Sequence, residues 1–188
     1  MNLIIFGPPG AGKGTQADFI VNKFDLYKLS TGEVLRNEIK NKTELGEKIS
    51  STINSGLFVS DDIVKKLVEI FVSDKKYKDR LIFDGYPRNL TQAITLQDLL
   101  KKHDQKIDLV LTLSVSLDTI LKRILERKTL EKRADDSEEI AIKRYKTYEK
   151  STEPVIEFYK KLNLLKVIDG ERSIDQINKE ISDIITLI

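Results

Sequence analysis

The chain has 188 residues, 40% of them hydrophobic and 33% charged, enough for one domain whose core needs no covalent staples. Its 32 Lys and Arg against 30 Asp and Glu leave a net charge of +2, which excludes a bulk polyanion binder but not local basic clusters that grip a small anion. With no cysteine, disulfides, thiol catalysis and Cys-ligated zinc or iron–sulfur sites are excluded.

No apolar run approaches the ~18 residues of a membrane helix. The N-terminus has no basic segment leading into a long apolar stretch. A soluble, cytoplasmic protein is expected, with neither membrane nor nucleic acid as partner. No linker or repeat divides the chain, so a single domain over 1–188 is expected.

In chain order, Leu3 to Phe6 is a short apolar run and reads as a strand. Gly7-Pro8-Pro9-Gly10-Ala11-Gly12-Lys13-Gly14-Thr15 follows directly, and a helix pattern runs from Gln16 to Phe24. Glycines between a strand and a helix let backbone N–H groups converge on phosphate oxygens, while the helix N-terminus adds its positive end. Lys13 would then reach the β- and γ-phosphates of a nucleoside triphosphate, with Gly10, Ala11, Gly12, Gly14 and Thr15 around it. The general pattern puts Ser or Thr immediately after the lysine as a magnesium ligand; here Gly14 holds that place. Either Thr15 substitutes, or nucleotide oxygens and water hold the metal.

Tyr27 to Leu29 is a further, shorter strand candidate. From Thr31 to Val72 the chain offers no convincing core strand and three helices, a helical insertion beside the sheet. Leu81 to Phe83 is the next strand, ending in Asp84-Gly85-Tyr86-Pro87-Arg88. An acid at a strand end can orient magnesium or its waters opposite a phosphate loop, or simply cap the following turn. Helix patterns over Leu90 to Leu100, Leu117 to Arg127 and Glu138 to Leu162, the last interrupted by Pro154, alternate with strands at Leu109 to Val115 and Leu165 to Ile168. Capping boxes are expected at Ser30–Glu33, Asn89–Gln92, Asp136–Glu139 and Ser173–Gln176. The strands are apolar rather than alternating, as in parallel sheets covered on both faces. The fold class is therefore α/β, a doubly wound parallel sheet of about five strands, with ligands at the carboxyl ends of the strands.

A site for a second phosphate-bearing substrate needs fixed cations away from the phosphate loop. Arg36 and Arg88 are candidates, although an arginine like Arg36, taken alone, is more often a solvated helix charge. Arg123 and Arg127 lie four apart on one helix face, and Arg133 and Arg144 follow. Phosphoryl transfer asks the protein mainly for positioning and cationic stabilisation, which such a set supplies. Lys122, Lys128, Lys132 and Lys143 read as solvent-facing, the single histidine His103 as an exposed loop residue, and Tyr145, Tyr148 and Tyr159 as packing residues.

Taken together, Gly7 to Gln16, Leu29-Ser-Thr-Gly-Glu-Val-Leu-Arg36, Phe83-Asp-Gly-Tyr-Pro-Arg88 and Arg133-Ala-Asp-Asp136 with Arg144 resemble the adenylate kinases from end to end. The resemblance implies reversible transfer of the ATP γ-phosphoryl to AMP with Mg²⁺, by a nucleotide-binding monomer. It implies a core over 1–29, 73–127 and 137–188, an AMP-binding helical region over 30–72 and a closing lid over 128–136. Arg123, Arg127, Arg172 and the phosphate loop would hold ATP, its adenine near Arg123 and Asp169-Gly170-Glu171-Arg172. Thr31, Arg36, Phe58, Val59, Gly85, Arg88 and Gln92 would hold AMP, and Lys13, Arg88, Arg123, Arg133 and Arg144 would act on the transferring phosphoryl. Asp84 would serve magnesium through water. Only Lys-Thr-Leu-Glu-Lys separates Arg127 from Arg133, which resembles short-lid members that carry no zinc. Two rivals stand beside this reading: a UMP/CMP kinase, suggested by Asn89 after Arg88, and a nucleotide-controlled binding protein sharing only the phosphate loop.

Overall fold

A computed structural model describes residues 1–131 and 136–188. Five strands, β1 (Leu3–Phe6), β2 (Tyr27–Ser30), β3 (Leu81–Asp84), β4 (Leu109–Ser114) and β5 (Leu165–Asp169), form one sheet in the order β2-β3-β1-β4-β5. Every pairing in it is parallel. Around it lie α1 (Lys13–Phe24), α2 (Thr31–Lys40), α3 (Glu44–Asn54), α4 (Asp61–Ser73), α5 (Leu90–Lys102), α6 (Leu117–Glu131), α7 (Glu138–Lys161) and α8 (Ile174–Thr186).

The apolar strand runs divide by pleat. Ile4, Phe6, Leu81, Phe83 and Val110 face one hydrophobic cluster, completed by α4, α5 and the buried Val155 and Tyr159 of α7. Leu3, Ile5, Ile82, Leu109 and Leu111 face the other, completed by Ala17 and Ile20 of α1 and by Ile177, Ile181 and Ile185 of α8. Burial on both faces is what a near-continuous apolar strand requires. A small third cluster, Ile120, Ile124 and Ala141, joins α6 to α7.

The strand order places β1 and β3 side by side, with Ile5 opposite Asp84 and Ser30 opposite Asp84 on the other flank. The loops after β1 and β3 thus open at the same end of the sheet. The three helices expected between 31 and 72 are α2, α3 and α4, and they pack on the first cluster.

Several local expectations need correction. The helix over 138–161 runs unbroken through Pro154. A mid-helix proline costs roughly 3 kcal/mol, but burial of Val155 and Tyr159 returns roughly 1.5–3 kcal/mol each. Helix α1 begins at Lys13 rather than at residue 16, because Gly12, in the left-handed region at φ 92°, serves as its N-cap. Of the four capping boxes only Ser173–Gln176 forms. The Ser30 hydroxyl instead donates to Asp84 Oδ2 at 3.2 Å, and Glu33 pairs with Lys28. Ser137, not Asp136, caps α7, leaving Asp136 buried for another purpose. Asn89 Oδ1 accepts from Gln92 N, but the Gln92 side chain does not return to the Asn89 backbone. His103 is the half-buried C-cap of α5, not an exposed loop residue.

Gly46 is the tightest point of the helical region. A Cβ there would lie 2.1 Å from the Glu38 carbonyl oxygen, so α3 crosses α2 backbone against backbone. Gly46→Ala must push the two helices apart. The expected result is a loss of ~1–3 kcal/mol in urea denaturation, the usual cost of overpacking, with an unchanged m-value.

Candidate active site

The loop after β1 is shaped by glycines. Gly10 and Gly12 have φ of 84° and 92°, and a Cβ on Gly10 would meet Ile124 Cγ1 at 2.9 Å, so loop and α6 approach closely. The loop turns on itself through Ala11 N–H to the Pro8 carbonyl at 3.1 Å. Lys13, at the first position of α1, curls back and donates to the Gly7 and Pro8 carbonyls at 2.7 and 3.0 Å. Gly14 has open space where a Cβ would be, and Thr15 is exposed on the first turn.

Across the cleft stands the turn after β3. Arg88 Nε donates to the Gly85 carbonyl at 2.7 Å, and the guanidinium carbon lies 4.8 Å from the centre of the Phe58 ring. Thr31 Oγ1 donates to the same Gly85 carbonyl at 3.1 Å, tying the start of α2 to this turn. Thr152 of α7 donates to the Arg88 carbonyl at 3.1 Å. Lys13, Thr31, Arg36, Phe58, Val59, Gly85, Arg88, Gln92 and Arg144 all line one cleft at the carboxyl ends of β1 and β3. Asp84, at the end of β3 and 8% exposed, lies close enough to interact electrostatically with Lys13 and Arg88.

The cleft is short of negative charge. Burial lowers the Lys13 pKa to about 8; Asp84 opposes that shift, while Arg88, Arg144 and Arg127 reinforce it. Burial, then Arg144 and Arg36, lower that of Arg88 to about 10, against the pull of Asp84, so it stays charged at neutral pH. Cations held this close are ready for a polyanion.

The remaining arginines divide. Arg123 bridges the phosphate loop and the loop after β5, with Nη1 3.4 Å from the Ala11 carbonyl and Nη2 2.9 Å from that of Gly170. Arg127 grips Asp136 with two bonds of 2.7 and 2.5 Å, and Arg144 lies 3.5 Å from the same carboxylate, which is fully buried. Arg172 pairs with Asp169 and Glu180 and does not line the cleft. Arg133 falls outside the described residues. Lys122, Lys128 and Lys143 are exposed.

Three roles escaped the sequence reading. Asp136 read as a helix cap, and only the packing of α6 on α7 reveals it as a shared counter-ion. Tyr148 lines the cleft from α7. Asp61, on the first turn of α4, accepts from both Asn89 and Gln92; in sequence it is one more acid at a helix start.

The Lys13 ammonium is present below about pH 8 and lost above it. A bound polyphosphate favours the charged form and raises that pKa. Nucleotide binding above pH 8 therefore takes up a proton, and its Kd at pH 9 should be ~10-fold weaker than at pH 7. Calorimetry in buffers of different ionisation enthalpy should detect the uptake in the wild type and not in Lys13→Met. An equal Kd at both pH values would contradict this assignment.

Comparison with known proteins agrees with the geometry. The family model described as Adenylate kinase matches residues 5–164. The adenylate kinase of Pelagibacter ubique is 47% identical over 211 aligned positions, covering 98% of this chain and 99% of its own. That of Fusobacterium nucleatum is 38% identical, with 98% of each chain covered. That of Bifidobacterium longum is 40% identical over 181 positions, covering 96% and 97%. A phosphate loop, a second cationic wall facing it and relatives matched along nearly their whole length lead to one conclusion: the chain belongs to the adenylate kinase family.

Proposed function

We propose that this chain transfers the γ-phosphoryl of Mg-ATP reversibly to AMP, giving two ADP. The observation that carries the reading is the pair of opposed cationic walls in one cleft, Lys13 on the phosphate loop and Arg36 with Arg88 on the other side. A switch or hydrolase needs the first wall and has no use for the second. The names of the relatives support the same reaction and do not favour a nucleotide-controlled binding protein.

In this reading Gly10 to Thr15 and Arg123 hold ATP, with Arg127 and Arg172 as outlying members of that set. Thr31, Arg36, Phe58, Val59, Gly85, Arg88 and Gln92 hold AMP. An AMP phosphate oxygen forms a bond to the γ-phosphorus as the bond to the β,γ-bridging oxygen breaks, and ADP leaves with that electron pair. Charge spreads over the equatorial oxygens meanwhile, and Lys13, Arg88, Arg123, Arg144 and, by resemblance, Arg133 neutralise it. Arg144 already lines the cleft, held beside Asp136.

The chemistry of Asp84 fits magnesium: a nearly buried carboxylate at the end of β3, one strand from the phosphate loop, where phosphate oxygens and waters complete the shell. Thr15, exposed on the first turn of α1, is the other oxygen at hand. The ion supplies charge neutralisation on the phosphoryl oxygens. The segment over 128–136 serves as a short lid without zinc, and 30–72 as the region that closes on AMP. Among the described residues no helix is long and apolar enough to cross a membrane. A monomer acting in the cytoplasm on ATP, ADP and AMP completes the reading, with no nucleic acid partner.

The pyrimidine rival rested on Asn89. That side chain is spent on the scaffold, capping α5 and donating to Asp61 at 3.2 and 3.1 Å. With Mg-ATP as donor, kcat/KM for AMP should therefore exceed that for CMP, UMP and GMP by at least ~10²-fold. Equal use of CMP or UMP would move the assignment to the pyrimidine enzymes. Lys13→Ala should cut turnover by ~10²-fold or more with folding intact, and Arg144→Ala should lower kcat by ~10³-fold rather than KM for ATP. Near-native kcat in either variant would remove that residue from the mechanism.

A further inference from the structure

We propose that Asp61 fixes the orientation of the Gln92 carboxamide and thereby makes the acceptor site read an amino group, and reject an oxo group, on the purine ring. This rests on the reading of Gln92 as a contact to the acceptor base and names what sets its selectivity.

A glutamine amide presents a donor and an acceptor of nearly the same shape, so rotation by half a turn exchanges the two. A freely rotating Gln92 would pair with adenine, whose edge offers a ring-nitrogen acceptor and an amino donor. Turned over, it would pair equally well with hypoxanthine, whose edge offers a ring N–H donor and a carbonyl acceptor. Two contacts forbid the exchange here. The Arg88 backbone N–H, which can only donate, lies 2.7 Å from Gln92 Oε1. The Asp61 carboxylate, which can only accept, lies 2.6 Å from Gln92 Nε2. Reversal would set donor against donor and acceptor against acceptor.

Asp61 is suited to this by what else it binds. Asn89 Nδ2 also donates to it, at 3.2 and 3.1 Å, so two amide donors converge on one carboxylate. Asparagine would present a donor as well as an acceptor, so it could pair with Gln92 in either orientation and would set its own amide N–H against that of Asn89. The Gln92 main chain is fixed as well, its N–H on Asn89 Oδ1 at 2.8 Å and its carbonyl receiving the Tyr86 hydroxyl at 3.3 Å. Each side-chain atom of Gln92 keeps one further bonding position, a second hydrogen on Nε2 and a second lone pair on Oε1, and the residue lines the cleft. Donor and acceptor in that fixed order match AMP and mismatch IMP, which has the same size. Asp61 is thus a positioning residue, carried on α4 while its target sits on α5.

The test compares kcat/KM for AMP and IMP in wild type, Asp61→Ala, Asp61→Asn and Gln92→Leu. Each ratio is taken within one preparation, so that any loss of folded protein cancels. The wild type should prefer AMP, and both Asp61 variants should lose at least ~10-fold of that preference, with KM for ATP within about two-fold of wild type. Gln92→Leu should lose it too. If Gln92→Leu loses the preference while both Asp61 variants keep it, Asp61 has no positioning role and the base contact stands. If Gln92→Leu keeps it, the base contact itself is wrong and the proposal falls with it.

Discussion

Mutual repulsion among cations in a partly dry cleft is the constraint around which this chain is arranged. Lys13, Arg36, Arg88 and Arg144 share one space, and burial there raises the cost of every unneutralised charge. Lys13 rests on two loop carbonyls, Arg88 on that of Gly85, and Arg144 beside the Asp136 carboxylate. Asp84, at the end of β3, draws on both Lys13 and Arg88. In the proposed reading these oxygens stand in for those of phosphate. An arriving nucleotide exchanges one set of oxygen contacts for another, so the site need not be assembled at the moment of binding.

The sheet supplies the rigidity that such crowding demands. Parallel strands buried on both faces leave the loops after β1 and β3 few ways to shift, and adjacency of those strands sets the gap between the two cationic walls. Thr31 and Thr152 then anchor the turn after β3 from α2 and α7. The turn after β3 is thus held from two helices, while the loop after β1 owes its curl to its glycines and is braced by Arg123 of α6.

How much of this was legible beforehand follows the range of the interactions. Strand positions and the phosphate loop were readable because apolar runs and glycine spacing are local signals. The set Lys13, Thr31, Arg36, Phe58, Val59, Gly85, Arg88, Gln92 and Arg144 lines one cleft. What stayed hidden was tertiary. Ser30 and Glu33 form a capping-box pattern, yet each is claimed by a stronger partner brought in from elsewhere, Asp84 for one and Lys28 for the other. Pro154 reads as a break, because the burial that carries the helix past it is not written in its neighbours. Asp61 and Asp136 look like ordinary helix-start acids, and only the packing of α4 on α5 and of α6 on α7 gives them their work.

The buried ion pairs of Asp136 also bear on how this chain can change length. Arg127 of α6 and Arg144 of α7 are both fastened to that one carboxylate, so the ends of the segment between the two helices are fixed to each other directly. Closing a loop between fixed ends costs only ~0.6 kcal/mol more for each doubling of its length. The seam between Arg127 and Asp136 is therefore a place where chain length can vary at little cost to the packing of α6 on α7. Relatives do differ in length: the alignment with the Pelagibacter ubique protein runs to 211 positions against the 188 residues of this chain. A carboxylate that holds two arginines together thus also frees the chain between them to vary.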